Sequence, residues 1–231
     1  MKREVTNVIR YLMDEWLPPA IRDSKWFMYP AFYYWYQGEY ISEIMEFQKT
    51  AYKMTPEEFA QFYAKVKNRA YERPTDMNQA SIELIVSKLS PDASTLLDVG
   101  CGRGYFLKVL SEKTNLSLTG CDMRYALPKE LNAKFVEGYA ETLPFADDSF
   151  DIVTCTHTIE HIINLDKVIS ELKRVAKKQL IIVTPRQKHY FYTLDMHLNF
   201  FPFEEKLTHA IGLKDYTIYD VEGDWVYFGN L

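Results

Sequence analysis

Asp98-Val99-Gly100-Cys101-Gly102-Arg103-Gly104 places a carboxylate two residues before the first of three glycines at alternate positions. Leu96, Leu97 and Val99 read as a buried strand, and the residues from Tyr105 onward as a helix, so the glycines form the turn between them. Glycine lets that turn be sharp and lets a ligand lie against the backbone, because no Cβ intervenes. Open α/β sheets bind ligands at this end of a strand. The spacing is not G-x-G-x-x-G, because the third glycine comes one residue early and Tyr105 stands where a dinucleotide site needs glycine. Asp98 would repel a pyrophosphate but would suit a ligand that carries an amino group. Asp122, 18 residues beyond Gly104, ends a second strand and is placed to accept both hydroxyls of a ribose.

Two further blocks extend the pattern. Val136-Glu137-Gly138-Tyr139-Ala140-Glu141-Thr142-Leu143-Pro144-Phe145 is followed by Asp148-Ser149-Phe150-Asp151-Ile152-Val153, and then by Ile159-Glu160-His161. With the glycine turn, these resemble class I S-adenosylmethionine (SAM)-dependent methyltransferases over residues 76–231. The resemblance implies an α/β fold with a seven-stranded, mostly parallel, doubly wound sheet ending in an antiparallel hairpin. It implies SAM as cofactor and S-adenosylhomocysteine as product. Asp98 would face the ammonium, and Gly100, Cys101, Gly102 and Gly104 would line the amino-acid part. Asp122 would hold the ribose and Met123 would pack on the adenine. Ala140 and Glu141 lie in the adenine loop, where Tyr139 replaces the acid usual in the family and leaves the reading of the adenine edge to the backbone. Thr156 and His157 would lie beside the sulfonium.

His157, His161 and His189 are the candidate catalytic groups, since an alcohol or phenol acceptor wants a base near neutral pKa. His157-Thr158-Ile159-Glu160-His161 also has the spacing of an inverted zinc-protease motif. That motif needs helix on both sides, whereas Asp151–Thr156 reads as a strand that stops just before it. Some quinone-directed members of the resembled family bind a divalent ion in this segment, but His157 stands where an acid is needed, and no metal is expected. His197 to Phe201 resembles a His-x-x-Phe-Phe pattern of the family, and residues 188–201 are expected to form a wall for the acceptor.

These groups need a frame. Strands are expected at 95–99, 116–121, 133–137, 151–156 and 179–183, with helices at 105–113 and 165–176, an alternation that implies a parallel sheet covered on both faces. A helix over 203–211, stopped by Gly212, precedes strands at 215–220 and 225–228 joined at Glu222-Gly223, a hairpin by turn chemistry. Residues 1–75 differ: they hold 17 of the 35 aromatic residues. They read as a helical extension with segments at 4–17, 30–48 and 56–71, broken at Pro18-Pro19 and Thr55-Pro56. The extension is expected to act as a lid over the acceptor; contact with a lipid surface and a homodimer interface are the rival uses for its rings.

Composition bounds the partners. The 231 residues carry a net charge of −5, so no basic footprint for nucleic acid covers the chain. Charged residues interrupt the first 30 positions, leaving no stretch suited to a signal peptide or membrane span. The three cysteines lack metal-like spacing and read as reduced thiols, which places the chain in the cytoplasm. The reading is therefore a methyltransferase of a small-molecule acceptor with an oxygen or nitrogen nucleophile, aromatic, lipid-linked or glycan in character. A methyltransferase of RNA or protein, and a SAM-binding protein without catalysis, stand as the alternatives.

Overall fold

The structure, a computed structural model, describes residues 11–13, 16–66, 73–123 and 127–231. Contacts divide the chain into two compact units. The described residues of Met1–Arg73 join Lys188–Phe200 in the first, and Pro74–Gln187 joins Phe201–Leu231 in the second.

In the first unit, α1 (Lys25–Trp35) and α2 (Pro56–Lys65) flank short helical turns at Ile41–Met45 and Phe47–Thr50. The expected helix over 30–48 is corrected. It begins five residues earlier, keeps Pro30 inside, and stops where Gln37, Gly38 and Tyr40 take positive φ. Pro30 is the sixth residue of α1, past the first turn, so the helix forgoes the main-chain N–H that would reach back to Trp26. The expected segment 4–17 lies mostly outside the described residues, as does the end of 56–71. Thr55 starts α2 with a full capping box: its hydroxyl accepts from Glu58 N–H at 3.2 Å while Glu58 accepts from Thr55 N–H at 2.8 Å. Rings fill this unit, with Phe47 stacked on Phe62 at 5.2 Å and Phe59 tilted on Tyr63 at 4.8 Å. Residues 188–200 are tied in by main-chain acceptors: Tyr36 Oη donates to Leu194 O at 2.6 Å, and Gln48 Nε2 to Tyr190 O at 2.8 Å.

The second unit opens with α3 (Gln79–Ser87), which the sequence reading did not assign. Its signal was present, since Asn78 is an N-cap residue and accepts from Ser81 N–H at 2.6 Å. Then follow β1 (Thr95–Val99), α4 (Tyr105–Lys113), β2 (Ser117–Asp122), β3 (Lys134–Glu137), β4 (Phe150–Thr156), α5 (Leu165–Val175), β5 (Ala176–Pro185), α6 (Glu204–Ile211), β6 (Tyr216–Val221) and β7 (Asp224–Asn230). The seven strands run in the order β3-β2-β1-β4-β5-β7-β6. The first five pair parallel, and β7 pairs antiparallel with both β5 and β6. This is the expected seven-stranded doubly wound sheet with its hairpin. Glu222 and Gly223 take φ of 49° and 86°, as a two-residue turn matching strand twist requires.

Strand periodicity assigns alternate residues to opposite faces. Leu97, Val153, Leu180 and Ile182 pack toward α5 and α6, while Leu96, Ile152, Ile181 and Val183 pack toward α3 and α4. Both faces are covered, so the polar chemistry is confined to the strand ends and loops.

Candidate active site

The glycine turn leaves β1 at the carboxyl edge. Gly100, Gly102 and Gly104 take φ of 75°, 52° and 78°, a region that side chains with a Cβ rarely enter. Their surroundings differ. A Cβ on Gly100 would lie 2.2 Å from Thr158 Oγ1, and one on Gly104 would lie 2.6 Å from Leu127 Cδ2. One on Gly102 would meet no heavy atom within 4 Å, so the middle glycine is where a ligand can approach the backbone. Gly100 and Cys101 both donate to Cys121 O, at 2.8 and 3.3 Å, which stitches the loop to the end of β2.

Two carboxylates meet this loop. Asp98 is 1% exposed and accepts from Thr154 Oγ1 at 2.7 Å. Burial, assisted by the nearby Asp122 charge and opposed by the Thr154 hydrogen bond, pushes its pKa up to about 7. Asp122 accepts the Gly102 N–H at 2.8 Å. The structure therefore gathers Asp98, Gly100, Cys101, Gly102, Gly104 and Asp122 around one turn. Met123 follows β2 half-buried, and Thr156 ends β4 half-buried. Ala140 and Glu141 lie in the loop after β3, whose base is tied by Gly138 N–H donating to Asp122 O at 3.2 Å. A sulfonium amino acid joined to a nucleoside fits this donor set. It offers a cation for Asp98 and vicinal hydroxyls for Asp122, and it carries no phosphate.

Sequence reasoning missed the groups that hold the loop after β3. Arg174, on α5, donates to Phe145 O at 2.7 Å and to Leu143 O at 3.1 Å, and pairs with Asp147 at 2.8 Å and Glu171 at 2.7 Å. Glu171 accepts from Leu143 N–H at 2.8 Å. The only local signal was an i,i+3 acid–base pair at the end of a helix, which is common on solvated faces.

The three histidines part company. His157 follows β4 with φ of 47° and donates its main-chain N–H to Val183 O at 2.8 Å. Its ring lies between two buried carboxylates, Glu160 and Asp224, each at 3.3 Å. Burial opposes a charge there, but the two carboxylates outweigh it and raise the pKa to about 10. His157 thus has Nε2 within hydrogen-bond reach of Asp224 Oδ2 and Nδ1 facing Glu160 Oε1. His161 sits in a single 3₁₀ turn, Ile159–His161, and the next helix begins at Leu165 as expected. Asn164 caps it, accepting from Lys167 N–H at 3.2 Å. His189 belongs to the first unit and packs edge-on against Phe200 at 4.8 Å. Cys101, Cys121 and Cys155 are free and buried. Burial raises all three thiols, Cys121 up to about 12, so they pack as small apolar groups and are no nucleophiles.

Comparison with known proteins agrees with this geometry. Residues 97–184 match the family described as "Methyltransferase domain". An uncharacterized methyltransferase, YcgJ of Bacillus subtilis (strain 168), is 33% identical over 92 residues, 36% of either chain. Demethylmenaquinone methyltransferase of Roseiflexus sp. (strain RS-1) is 33% identical over 120 residues, 44% of this chain and 50% of that one. The chain thus spans about a third to a half of the length of these curated relatives. Among solved structures, a SAM-dependent methyltransferase from Aquifex aeolicus has a TM-score of 0.52 at 17% identity, covering 77% of this chain and 98% of that one. Phosphoethanolamine N-methyltransferase 2 of Haemonchus contortus, solved with SAM, has a TM-score of 0.57 at 16% identity, covering 71% and 46%. These two share the fold. Residues 97–184 thus match a methyltransferase domain, set in the seven-stranded sheet that these SAM-dependent enzymes share.

Proposed function

We propose that this protein transfers a methyl group from SAM to a small-molecule acceptor. The observation that carries the reading is the pairing of buried Asp98 with Asp122, whose carboxylate accepts the Gly102 N–H at 2.8 Å beside an open glycine backbone. SAM, when bound, supplies a methyl carbon made electrophilic by its sulfonium sulfur. The residues supply placement. Asp98 takes the ammonium, the Gly100–Gly104 backbone bears the amino-acid part, Asp122 takes the ribose hydroxyls, Met123 and the Ala140–Glu141 backbone border the adenine, and Thr156 lies beside the sulfur. Holding a reactive methyl against an oriented nucleophile recovers on the order of 7–11 kcal/mol of barrier.

A hydroxyl acceptor needs somewhere for its proton to go. His161 and His189 are the proposed acceptors, since both nitrogens of His157 are engaged by carboxylates. The Roseiflexus relative, named for demethylmenaquinone, favours a ring-bearing acceptor.

Calorimetric titration tests the cofactor directly. SAM should bind and NAD should not. Asp122→Ala should weaken SAM by about tenfold to a hundredfold, the worth of one or two charge-assisted hydrogen bonds, with circular dichroism unchanged. Binding of NAD in place of SAM would sink the reading.

A further inference from the structure

The proposed chemistry leaves one buried network unused. Its centre is His157, whose left-handed backbone at φ 47° persists in a non-glycine residue only where the surroundings impose it. The ring spans Glu160 Oε1 and Asp224 Oδ2, 3.3 Å from each. The network continues outward on both sides. Thr184 Oγ1 donates to Glu160 Oε2 at 3.3 Å, and Asn78 Nδ2 donates to Asp224 Oδ2 at 3.1 Å and to Val221 O at 2.9 Å. Glu160, Asp224, Thr184 and Asn78 are all buried. The His157 ring and the carboxylates on either side of it therefore link the end of β4 to β5, to the start of β7 and to the cap of α3.

Thr158 lies between the two tied residues, His157 and Glu160. It is also the wall behind the first glycine, since a Cβ on Gly100 would lie 2.2 Å from its Oγ1 and 2.6 Å from its Cγ2. The hydroxyl is itself fixed by donating to Thr156 O at 3.1 Å. A tie on both sides of Thr158 leaves it little room to retreat, and Gly100 cannot move back past it.

We propose that the Glu160–His157–Asp224 tie is a positioning device that presses Thr158 against Gly100 and so holds the cofactor loop in its binding shape. His157 acts through Thr158 and does not touch the reacting atoms. The inference rests on the SAM reading only for what the loop binds; the clamp itself is a statement about the loop.

The test uses the full chain as wild type, His157→Gln and Thr158→Ala. Amide hydrogen exchange followed residue by residue reads the loop without any ligand. In both variants, exchange at Gly100 and Cys101, which donate to Cys121 O, should quicken by about tenfold or more. The amides of Leu96 and Leu97, in the middle of β1, should keep their wild-type rates, which a general loss of stability would not allow. SAM titration should show a parallel loss of about tenfold in affinity. Wild-type exchange at Gly100 and Cys101 in either variant overturns the clamp, as does an equal rise throughout β1. If wild type fails to bind SAM, the cofactor reading falls while the exchange rates still decide the clamp. Should His157→Gln fail to fold, Asp224→Asn, which removes one charge of the tie and keeps the shape of the side chain, takes its place with the same two outcomes.

Discussion

Asp98 is an acid whose burial has moved its midpoint to about 7, so near neutrality it is part acid and part carboxylate. The sign of the consequence follows from linkage. The folded pKa lies above the unfolded value near 4, so without ligand the fold loses stability as pH rises from about 4 through 7. The proposed ammonium of SAM reverses that preference, because only the carboxylate can pair with it. SAM affinity should therefore fall as pH is lowered below 7, approaching tenfold per pH unit. Titrations between pH 5.5 and 8.5 would show it, and Asp98→Asn should bind weakly with a flat profile. A wild-type affinity that does not change with pH would remove the ammonium from Asp98. The acid and its glycines were legible from types and spacing alone. The value near 7 was not, because it depends first on how deeply the sheet buries Asp98, and then on Thr154 and Asp122, which are distant in sequence.

The strands and helices were legible because each announces itself locally. Tyr105–Lys113 falls where its apolar spacing put it, and Glu222-Gly223 makes the turn that its positive φ values demand. Misplacements came where a local rule competed with packing. A helix was expected to begin at Pro30, yet α1 runs through it with Met28, Phe32 and Trp35 buried on one side. Helix α5 carries a function that its own sequence hides, since Arg174 and Glu171 reach across to the Leu143–Asp147 loop. Arg174→Met keeps the stem and removes the donors to Leu143 O and Phe145 O. We expect a loss of about 1–3 kcal/mol, the range for hydrogen bonds from a charged donor that is partly exposed. We also expect faster amide exchange at Leu143 and Phe145. Urea denaturation would measure the first, and an unchanged midpoint would mean that the loop holds itself.

For the whole molecule, a ligand that binds only the folded state raises stability by mass action. Among the described residues no helix is long and apolar enough to cross a membrane. SAM at about 100 times its Kd should add about 2.7 kcal/mol, and NAD at the same concentration nothing. A melting temperature insensitive to SAM would contradict the proposed cofactor. The sequence by itself determined the succession of the seven strands, the glycine turn and the two acids beside it, because turn geometry and period-2 burial are written in neighbouring residues. Only the tertiary structure decided what His157 does and which residues support the loop after β3. It also decided that residues 188–200 pack with the N-terminal helices. Those outcomes depend on charges and carbonyls tens of residues apart in sequence, whose meeting is set by strand order and loop path and by no local pattern.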